Sequence, residues 1–367
     1  MTPPDIVIFG LSLSSSWGNG HATTFRALLR GLHAEGKHVL FLERRQPWYQ
    51  DHQDLADPDF CRLEFYDDID AVLERHRDTL RRAGAVIVGS YVPEGRLLID
   101  ALHRLPLQRL CFYDIDTPVT MDLLDRAEET HLARRQMPWF DAYFSFSGGR
   151  VLDRLREVYG TPNPQALYCS VDAEAYGPMP VPRRWDLGYL GTYSPDRQPG
   201  LEALLIEPAR RLPQMRFVVA GSMFPSDIDW PANVERIDHL PPAQHAEFYN
   251  AQRFTLNITR EAMRRLGWSP SVRLFEAAAC GTPIISDRWP GLTDLLPEGQ
   301  AVLLADGTDD VVAVLQDTDD AARDRIAATA RRIVLDDHTG RARAQDLIGA
   351  LQATAPSAAK TIAEQGA

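Results

Sequence analysis

The sequence predicts an α/β protein built from two doubly wound domains, each with a mostly parallel sheet. Short apolar runs alternate with amphipathic segments along almost the whole chain, which is typical of repeated strand–helix units. These runs are apolar at nearly every position, as parallel strands buried on both faces are. The length of 367 residues exceeds what one core usually organises and suits two domains of about 150–200 residues each.

Apolar runs mark the predicted strands, and amphipathic stretches mark helices between them. In the first half the predicted helices include Ala22–Ala34, Ile69–Arg82 and Gly149–Tyr159. The predicted strands are Asp5–Gly10, His38–Leu42, Ala85–Val88, Leu110–Tyr113, Ala142–Ser145 and Ala166–Cys169 in the first half, and Leu187–Leu190, Phe217–Ala220, Phe254–Leu256, Pro283–Ser286 and Val302–Leu304 in the second.

A proline-rich segment, Tyr176–Pro182, separates the two halves and shows no periodicity. Proline fixes φ and removes a backbone donor, so this segment suits a linker better than a helix or a central strand. We therefore predict a first domain over 1–175, a linker over 176–184, a second domain over 185–335, and a C-terminal helix with a frayed tail over 336–367 that could return to the first domain. Two such domains would face each other across a cleft, with ligands beyond the carboxyl ends of the strands.

Composition excludes several classes of function. The formal net charge of −12 argues against a nucleic-acid-binding face, which needs clustered Lys and Arg. No signal peptide is recognisable, and no apolar stretch approaches the roughly 20 residues that span a bilayer, so a cytoplasmic protein without a transmembrane segment is expected. The four cysteines form no CxxC pair and are predicted to be reduced core residues: Cys61, Cys111, Cys169 and Cys280.

A glycine-containing turn follows the first predicted strand and precedes a helix. Gly18 and Gly20 would let the backbone approach a ligand and adopt positive φ, although their spacing does not match GxGxxG. His21 stands at the helix start, where the helix dipole would favour a neutral imidazole able to act as a general base or to bind a sugar hydroxyl. Capping or packing is the alternative role for His21.

Two carboxylates follow the predicted strand Leu110–Tyr113. Asp116, and with less support Asp114, could deprotonate an acceptor hydroxyl or bind sugar hydroxyls, while capping of the next helix by Asp116 or Thr117 is the alternative. The Ser147–Gly149 turn is interpreted as part of the lining of a ligand site. Three aromatic residues, Trp17, Trp48 and Tyr49, are candidate sugar or acceptor platforms, with core packing as the alternative for at least one.

In the second half, Arg197 follows a strand and a glycine turn, a position that suits a diphosphate, with a solvated side chain as the alternative. The segment Ser269–Asp287 reads as a helix with Ser269 as N-cap and Pro270 in its first position, ending at Gly281. Arg273 and Glu276 are three positions apart, so they share a helix face. They could meet phosphate and ribose hydroxyls, or form a structural ion pair.

The stretch Arg273–Asp287 closely resembles the signature of group-1 glycosyltransferases, in particular the CgeB-like (spore-maturation) branch. Four further segments are similar to that family in the same order along the chain: Gly36–Glu43 to its second strand, Cys169–Asp172 to its interdomain turn, Asn233–Leu240 to its nucleotide-base edge, and Arg331–Arg343 to its closing helices. The resemblance extends over nearly the whole chain and is most specific in the second half.

This resemblance implies two Rossmann-like domains of the GT-B fold, with the donor nucleotide on the second. Glu276 would bind the ribose hydroxyls, and Arg197 would replace the family's phosphate-binding lysine. Backbone near His239 and Leu240 would contact the base. The Gly18–His21 turn would face the donor phosphates and the acceptor.

The sequence departs from the family at two positions. Trp268 stands eight residues before Glu276, where retaining family-4-like enzymes carry a sugar-contacting glutamate. Thr192 stands where another cation is usual, so the diphosphate would rely on Arg197 together with Arg273 and Arg260. The stereochemical outcome therefore stays open.

We predict a metal-independent glycosyltransferase that moves a sugar from a nucleoside-diphosphate sugar to an unidentified acceptor, with no obligatory cofactor. UDP is the favoured nucleotide, with GDP or dTDP as alternatives. Arg197, Arg273 and the helix start around Ser271 would stabilise the leaving diphosphate. The Asp114–Asp116 pair is spelled like a DxD metal motif, but it belongs to the predicted acceptor-side domain. A GT-B nucleotide-sugar epimerase and a non-catalytic nucleotide-sugar-binding protein are the alternatives.

Overall fold

The structure is a computed structural model that describes residues 4–17 and 20–354. The chain forms two compact units. The first runs to Ser170 and takes up the chain again from Gly340, and the second comprises Val171–Thr339. The predicted linker 176–184 therefore lies inside the second unit, and the chain passes between units at two places. Gly18 of the predicted glycine turn lies outside the described residues.

The first unit contains a seven-stranded parallel sheet with the order β3-β2-β1-β4-β5-β6-β7. Its central strands consist almost entirely of buried residues, which explains their continuous apolar sequence. The strands are β1 Ile6–Gly10, β2 Val39–Arg44, β3 Arg62–Tyr66, β4 Ala85–Gly89, β5 Leu110–Asp114, β6 Ala142–Ser145 and β7 Pro164–Ala166. The helices are α1 His21–Ala34, α2 Pro47–Gln50, α3 Ile69–Arg75, α4 Arg77–Arg82, α5 Gly95–His103, α6 Thr117–Asp125, α7 Arg150–Glu157 and α16 Gly340–Ala353, with a 3-10 turn at Arg134–Trp139.

The second unit contains a six-stranded parallel sheet with the order β10-β9-β8-β11-β12-β13. The strands are β8 Trp185–Leu190, β9 Phe217–Ala220, β10 Val234–Ile237, β11 Gln252–Asn257, β12 Ile284–Ser286 and β13 Leu303–Leu304. The helices are α8 Gln198–Leu201, α9 Glu207–Arg211, α10 His245–Asn250, α11 Glu261–Leu266, α12 Val272–Ala279, α13 Leu292–Leu295, α14 Thr308–Asp317 and α15 Asp320–Asp337, with 3-10 turns at Pro195–Arg197 and Pro242–Gln244 and a π-helical turn at Glu202–Ile206. Over the described part of the chain, no helix is long and apolar enough to cross a membrane.

The predicted α/β class with two parallel sheets is confirmed, and the differences are local. Sequence periodicity missed β3 and β10, because both carry charged side chains and are only partly buried. The predicted helix Ile69–Arg82 is two helices, since the helical backbone ends at His76. The four cysteines are free thiols, as predicted.

The core of the first unit includes the packing of α16 on α1. Buried Phe25 and Leu28 of α1 share one apolar cluster with Ala344 and Leu347 of α16. The two helices approach closely, since a Cβ placed on Gly31 would overlap the Gly340 carbonyl group. The last described helix therefore completes the core of the first unit.

Gly31→Ala is expected to lower the free energy of unfolding by about 1–3 kcal/mol, because the added methyl group meets backbone that cannot rotate away. Gly349→Ala on α16 is the matched control, since a Cβ there meets nothing within 4 Å. Its better helix propensity should raise stability by up to about 1 kcal/mol. Urea denaturation compares the three proteins, and equal destabilisation by both changes would contradict the close approach.

Candidate functional site

The order of the second sheet reverses between β8 and β11, and cationic residues follow both strands. Arg197 ends the 3-10 turn after β8, and Arg260 precedes α11 in the turn after β11. Arg273 lies in the first turn of α12, the helix that leads into β12. In open α/β sheets the crevice at such a reversal, beyond the carboxyl ends of the strands, is the usual ligand position.

The three arginines form a cluster of positive charge. Burial lowers the pKa of Arg197, and repulsion by Arg273 and Arg260 adds to this effect. Among the described residues none of the three forms an ion pair, and the Nε of Arg197 has no hydrogen-bond partner. Only 7% of Arg197 is exposed, so its predicted alternative as a solvated side chain is wrong. The charge of Asp196 acts in the opposite direction on the pKa of Arg197. Because the described residues include no ion pair to the cluster, it suits an anion.

Nearby acids support the backbone around the arginines. Buried Asp287 accepts hydrogen bonds from the Thr259 backbone N–H at 3.1 Å and from the Thr259 hydroxyl at 2.9 Å. Asp196 accepts from the Glu261 backbone N–H at 2.9 Å and so joins the turns that carry Arg197 and Arg260. These acids make no ion pair with the cluster within the described ranges, so its charge is available to a ligand.

Glu276 is 9% exposed, and its environment is polar. The Tyr249 hydroxyl donates to its Oε2 at 3.2 Å, and the Tyr176 hydroxyl interacts with the same carboxylate. Arg273 and Glu276 form no ion pair in the part of the chain that the structure describes, so the structural alternative for this pair is wrong. The carboxylate keeps acceptor capacity beyond its tyrosine partner.

The start of α12 differs from the sequence prediction. Ser271, and not Ser269, is the N-cap, and its side chain accepts from the Arg273 backbone N–H at 3.4 Å. The Ser269 hydroxyl instead donates to the Gly267 carbonyl at 3.1 Å. The helix stops before Gly281, whose φ of +74° fits the predicted end.

The other residues predicted for the second unit lie in loops after strands. Thr192 is exposed, and its carbonyl accepts a hydrogen bond from Arg197. His239 is exposed beyond β10, and the Leu240 carbonyl lies 3.2 Å from His245 Nε2. Backbone near β10 is therefore linked to α10 through a half-buried imidazole, a connection that sequence spacing did not indicate.

In the first unit the sheet order reverses between β1 and β4, and His21 and Tyr91 follow these strands. Their rings meet edge to face with centroids 5.5 Å apart, and the Tyr91 hydroxyl donates to Asp116 Oδ2 at 3.2 Å. His131 also packs on Tyr91, with ring centroids 4.5 Å apart. The two predicted catalytic residues, His21 and Asp116, therefore contact one tyrosine.

The imidazoles of this cluster are neutral bases. Burial lowers the pKa of His21 to about 4 and that of His131 to about 4. His21 Nδ1 has no hydrogen-bond partner among the described residues. The sequence prediction of a neutral His21 agrees with this pKa, but the cause is burial and not the predicted effect of the helix N-terminus. Asp116 precedes α6 without capping it through its side chain, so the capping alternative for Asp116 is wrong.

Asp114 is completely buried and serves a different purpose from Asp116. It accepts hydrogen bonds from Tyr143 at 2.7 Å and Thr120 at 2.8 Å. Burial raises the pKa of Asp114 to about 6, and the nearby charge of Asp116 acts in the same direction. The side chain lies inside the unit, which leaves Asp116 as the accessible acid of the pair.

The loop after β1 is organised by a buried acid that sequence analysis missed. Glu43 of β2 accepts from the backbone N–H groups of Leu13 and Ser14 at 2.7 and 2.9 Å. Arg26 of α1 donates to the Leu13 carbonyl and to Asp54. Glu43 lies in an apolar strand, which is the one signal in the sequence that could have singled it out.

The predicted aromatic platforms divide into exposed and buried residues. Trp17 and Trp48 are more than half exposed, and Trp17 stacks on His52 with centroids 4.5 Å apart. Tyr49 is 8% exposed and belongs to the core, so its predicted platform role is wrong. Gly20 has a φ of −85°, an ordinary value that does not require glycine, so the predicted positive φ is wrong there.

Solved structures with a similar fold identify the fold class of this chain. Sucrose-phosphate synthase from Thermosynechococcus elongatus is similar over 95% of this chain and 98% of its own, at 15% identity and a TM-score of 0.71. HepE from Anabaena in complex with UDP and glucose is similar over 95% of this chain and 100% of its own, at 12% identity and a TM-score of 0.63. An alpha-glucosyltransferase in complex with UDP is similar over 95% of this chain and 99% of its own, at 12% identity and a TM-score of 0.66. The chain has the GT-B glycosyltransferase fold.

Sequence comparisons match parts of this GT-B chain, and the family model lies mainly in its second unit. Residues 197–349 match a family model described as glycosyl transferase-like. A D-inositol 3-phosphate glycosyltransferase of Mycobacterium sp. strain KMS is 28% identical over 165 residues, 42% of this chain and 36% of that relative. The D-inositol 3-phosphate glycosyltransferase of Mycolicibacterium smegmatis is 24% identical over 191 residues, which are 48% of this chain and 38% of that relative. The chain thus matches less than two-fifths of the length of these relatives.

Asp114→Asn is expected to change the dependence of stability on pH. Because the folded pKa of Asp114 is raised to about 6 from 3.8, the folded state binds the proton more tightly than the unfolded state does. Stability from this group is therefore full below pH 3.8 and is lost as pH rises through about 6, which amounts to about 3 kcal/mol. An asparagine does not ionise and avoids this loss.

Urea denaturation at about pH 4.5 and 7.5 measures this effect. The stability of Asp114→Asn relative to wild type should rise by about 2–3 kcal/mol between the two values. Asp153→Asn, on the exposed side of α7, is the matched control and should show little change. A pH-independent difference for Asp114→Asn would contradict the raised pKa.

Proposed function

We propose that this protein is a glycosyltransferase that transfers a sugar from a nucleoside-diphosphate sugar to an acceptor hydroxyl. The observation that carries the proposal is the cluster of Arg197, Arg260 and Arg273 beyond the reversal of the second sheet. A diphosphate supplies the negative charge that the cluster lacks among the described residues, and guanidinium groups bind phosphate oxygens in a bidentate manner. The similarity to UDP-bound structures supports the same class of ligand.

Each part of the donor has a proposed partner in the second unit. The three arginines and the N-terminal turn of α12 at Ser271 bind the diphosphate, with the backbone of Thr192 beside Arg197. Glu276 accepts hydrogen bonds from the ribose hydroxyls, and backbone near His239 and Leu240 contacts the base. As the bond to the sugar breaks, charge grows on the diphosphate, and prearranged cations stabilise it by several kcal/mol.

The first unit supplies the acid–base groups in this proposal. His21 is neutral at physiological pH and can accept the proton of an acceptor hydroxyl, and Asp116 beside Tyr91 is the second candidate base. Trp17 and Trp48 offer exposed aromatic surface to a sugar or acceptor. Gly18 and Gly20 are proposed to bind the nucleotide-sugar, as the sequence predicts. Arginines take the charge-stabilising role, so the reaction is proposed to need no metal ion.

The finer assignments follow from the sequence. UDP is the proposed nucleotide, with GDP or dTDP as alternatives, and the CgeB-like branch is proposed from the segment Arg273–Asp287. The domain limits 1–175 and 185–335 with the linker 176–184 are kept as a proposal, as are the return of the C-terminal helix to the first domain and a cytoplasmic location. The D-inositol 3-phosphate glycosyltransferases suggest a polyol acceptor.

A thermal-shift panel of UDP-, GDP- and dTDP-linked sugars tests the proposed donor class. A ligand that binds only the folded state stabilises it by about 2.7 kcal/mol at a hundredfold excess over its Kd. Product analysis with the best donor, with and without polyol acceptors, separates a transferase from an epimerase, which isomerises the donor alone. No shift with any donor would contradict the proposal.

Arg273→Ala is expected to weaken the binding of UDP about 10- to 100-fold, because one charge-assisted contact to the diphosphate is lost. Arg265→Ala is the matched control, since this arginine is exposed on α11 one turn beyond Arg260. Isothermal titration with UDP measures both. Equal affinities of the two variants would remove Arg273 from the donor site.

Asp116→Asn and His21→Gln are expected to leave UDP affinity within about twofold of wild type and to lower the transfer rate about 100-fold for the residue that acts as the base. The reason is that both residues lie in the first unit, whereas the proposed diphosphate site belongs to the second. Titration gives the affinity, and initial rates with donor and acceptor give the transfer rate. Wild-type transfer by both variants would exclude them as bases.

A further inference from the structure

A chain of polar groups joins the Leu240 backbone to the Glu276 carboxylate inside the second unit. His245 Nε2 lies 3.2 Å from the Leu240 carbonyl oxygen, and His245 Nδ1 lies 3.3 Å from the Tyr176 hydroxyl. The Tyr176 hydroxyl also interacts with Glu276, which accepts from Tyr249 at 3.2 Å. The backbone proposed to contact the base and the acid proposed to hold the ribose are therefore connected.

The number of hydrogens in this chain depends on the protonation state of His245. The Leu240 carbonyl can only accept, so His245 Nε2 carries a hydrogen, and Nδ1 of the neutral ring is an acceptor. The single hydroxyl hydrogen of Tyr176 can then be donated to His245 or to Glu276, but not to both. When His245 is protonated, Nδ1 donates to the Tyr176 oxygen, and the hydroxyl hydrogen is donated to Glu276.

The surroundings of His245 determine the pH at which this change occurs. Burial is the largest influence and lowers the pKa of His245 from 6.5. Glu276 and the Leu240 carbonyl oppose this shift, whereas Arg273 and His239 add to it. Tyr176 also faces Cys280 and Asp172, and burial raises the pKa of Tyr176 so far that its hydroxyl keeps its hydrogen. His245 therefore takes up its proton below pH 6.5, while the Tyr176 hydroxyl remains protonated.

We propose that Tyr176 and His245 are positioning residues of the ribose site. Neutral His245 holds the Tyr176 hydroxyl away from Glu276, whereas protonated His245 directs this hydroxyl onto the carboxylate. The inference rests on the proposed function, in which Glu276 accepts hydrogen bonds from the ribose hydroxyls. At neutral pH the ribose shares the carboxylate with Tyr249 alone, and at acidic pH Tyr176 competes for it as well.

The discrimination between UDP and 2′-deoxy-UDP isolates this effect. The two nucleotides carry the same diphosphate, so the titration of phosphate and the added charge of His245 cancel in the ratio of their Kd values. In the wild type we expect a ratio of about tenfold at about pH 7.5. Acidification to about pH 5 should reduce this ratio about threefold, because Tyr176 then shares the carboxylate.

Three variants assign the change to its residues. Tyr176→Phe removes the competing hydroxyl, and His245→Gln supplies an amide that does not titrate, so both should show the same ratio at the two pH values. Tyr249→Phe is the matched control. It removes a hydroxyl from the same carboxylate without touching His245, so the ratio should still fall on acidification. Thermal melting checks folding, and His245→Gln provides the test if Tyr176→Phe does not fold.

The possible outcomes separate this inference from the proposed function. A wild-type ratio that does not change with pH, or a ratio that still falls in Tyr176→Phe and His245→Gln, overturns the positioning role. No binding of UDP at either pH, or a Glu276→Gln variant with the wild-type ratio, shows instead that Glu276 does not hold the ribose. In that case the proposed donor site falls, and this inference with it.

Discussion

The second unit depends on a cluster of positive charge that forms no ion pair within the described part of the chain. Arg197 is buried, and its charge is disfavoured by desolvation and by two neighbouring arginines. Such an arrangement costs stability unless an anion completes it. Folding therefore holds these groups together against their repulsion, which the proposed binding of a diphosphate would relieve.

The acids near the arginine cluster bind the backbone of its turns and not the guanidinium groups. Asp287 and Asp196 accept hydrogen bonds from backbone and hydroxyl groups of the turns that carry the arginines. An acid bound to the guanidinium groups themselves would neutralise them and compete with a diphosphate. The same principle recurs at Glu43, which accepts from the N–H groups of the loop after β1. Buried carboxylates in both units thus shape loops by binding their backbone.

Two acids of the first unit, Asp114 and Asp116, have different surroundings although they are two positions apart. Asp114 is buried among Tyr143 and Thr120 with a raised pKa, while Asp116 contacts Tyr91 beside the neutral imidazole of His21. Tyr91 has a φ of +61°, an uncommon conformation for a bulky side chain. Strained residues of this kind concentrate at functional sites, which agrees with the proposed acid–base role of the cluster.

Sequence by itself determined the α/β class, the division into two parallel sheets, and the helix that carries Arg273 and Glu276. These features follow from apolar periodicity and from helix-end residues, which act over a few positions. It did not determine the charged strands β3 and β10, whose pairing with neighbouring strands outweighs their weak pattern. It also predicted the cap of α12 at Ser269, whereas the structure has it at Ser271.

Only the tertiary structure brought together residues that are far apart in the chain. Arg197, Arg260 and Arg273 meet because parallel strands place their following loops at one edge of a sheet. Packing in three dimensions also brings Tyr91 into contact with His21 and Asp116, and Tyr176 into contact with His245. Burial, which sets the pKa values of these groups, depends on every element packed around them and leaves no local signal in the sequence.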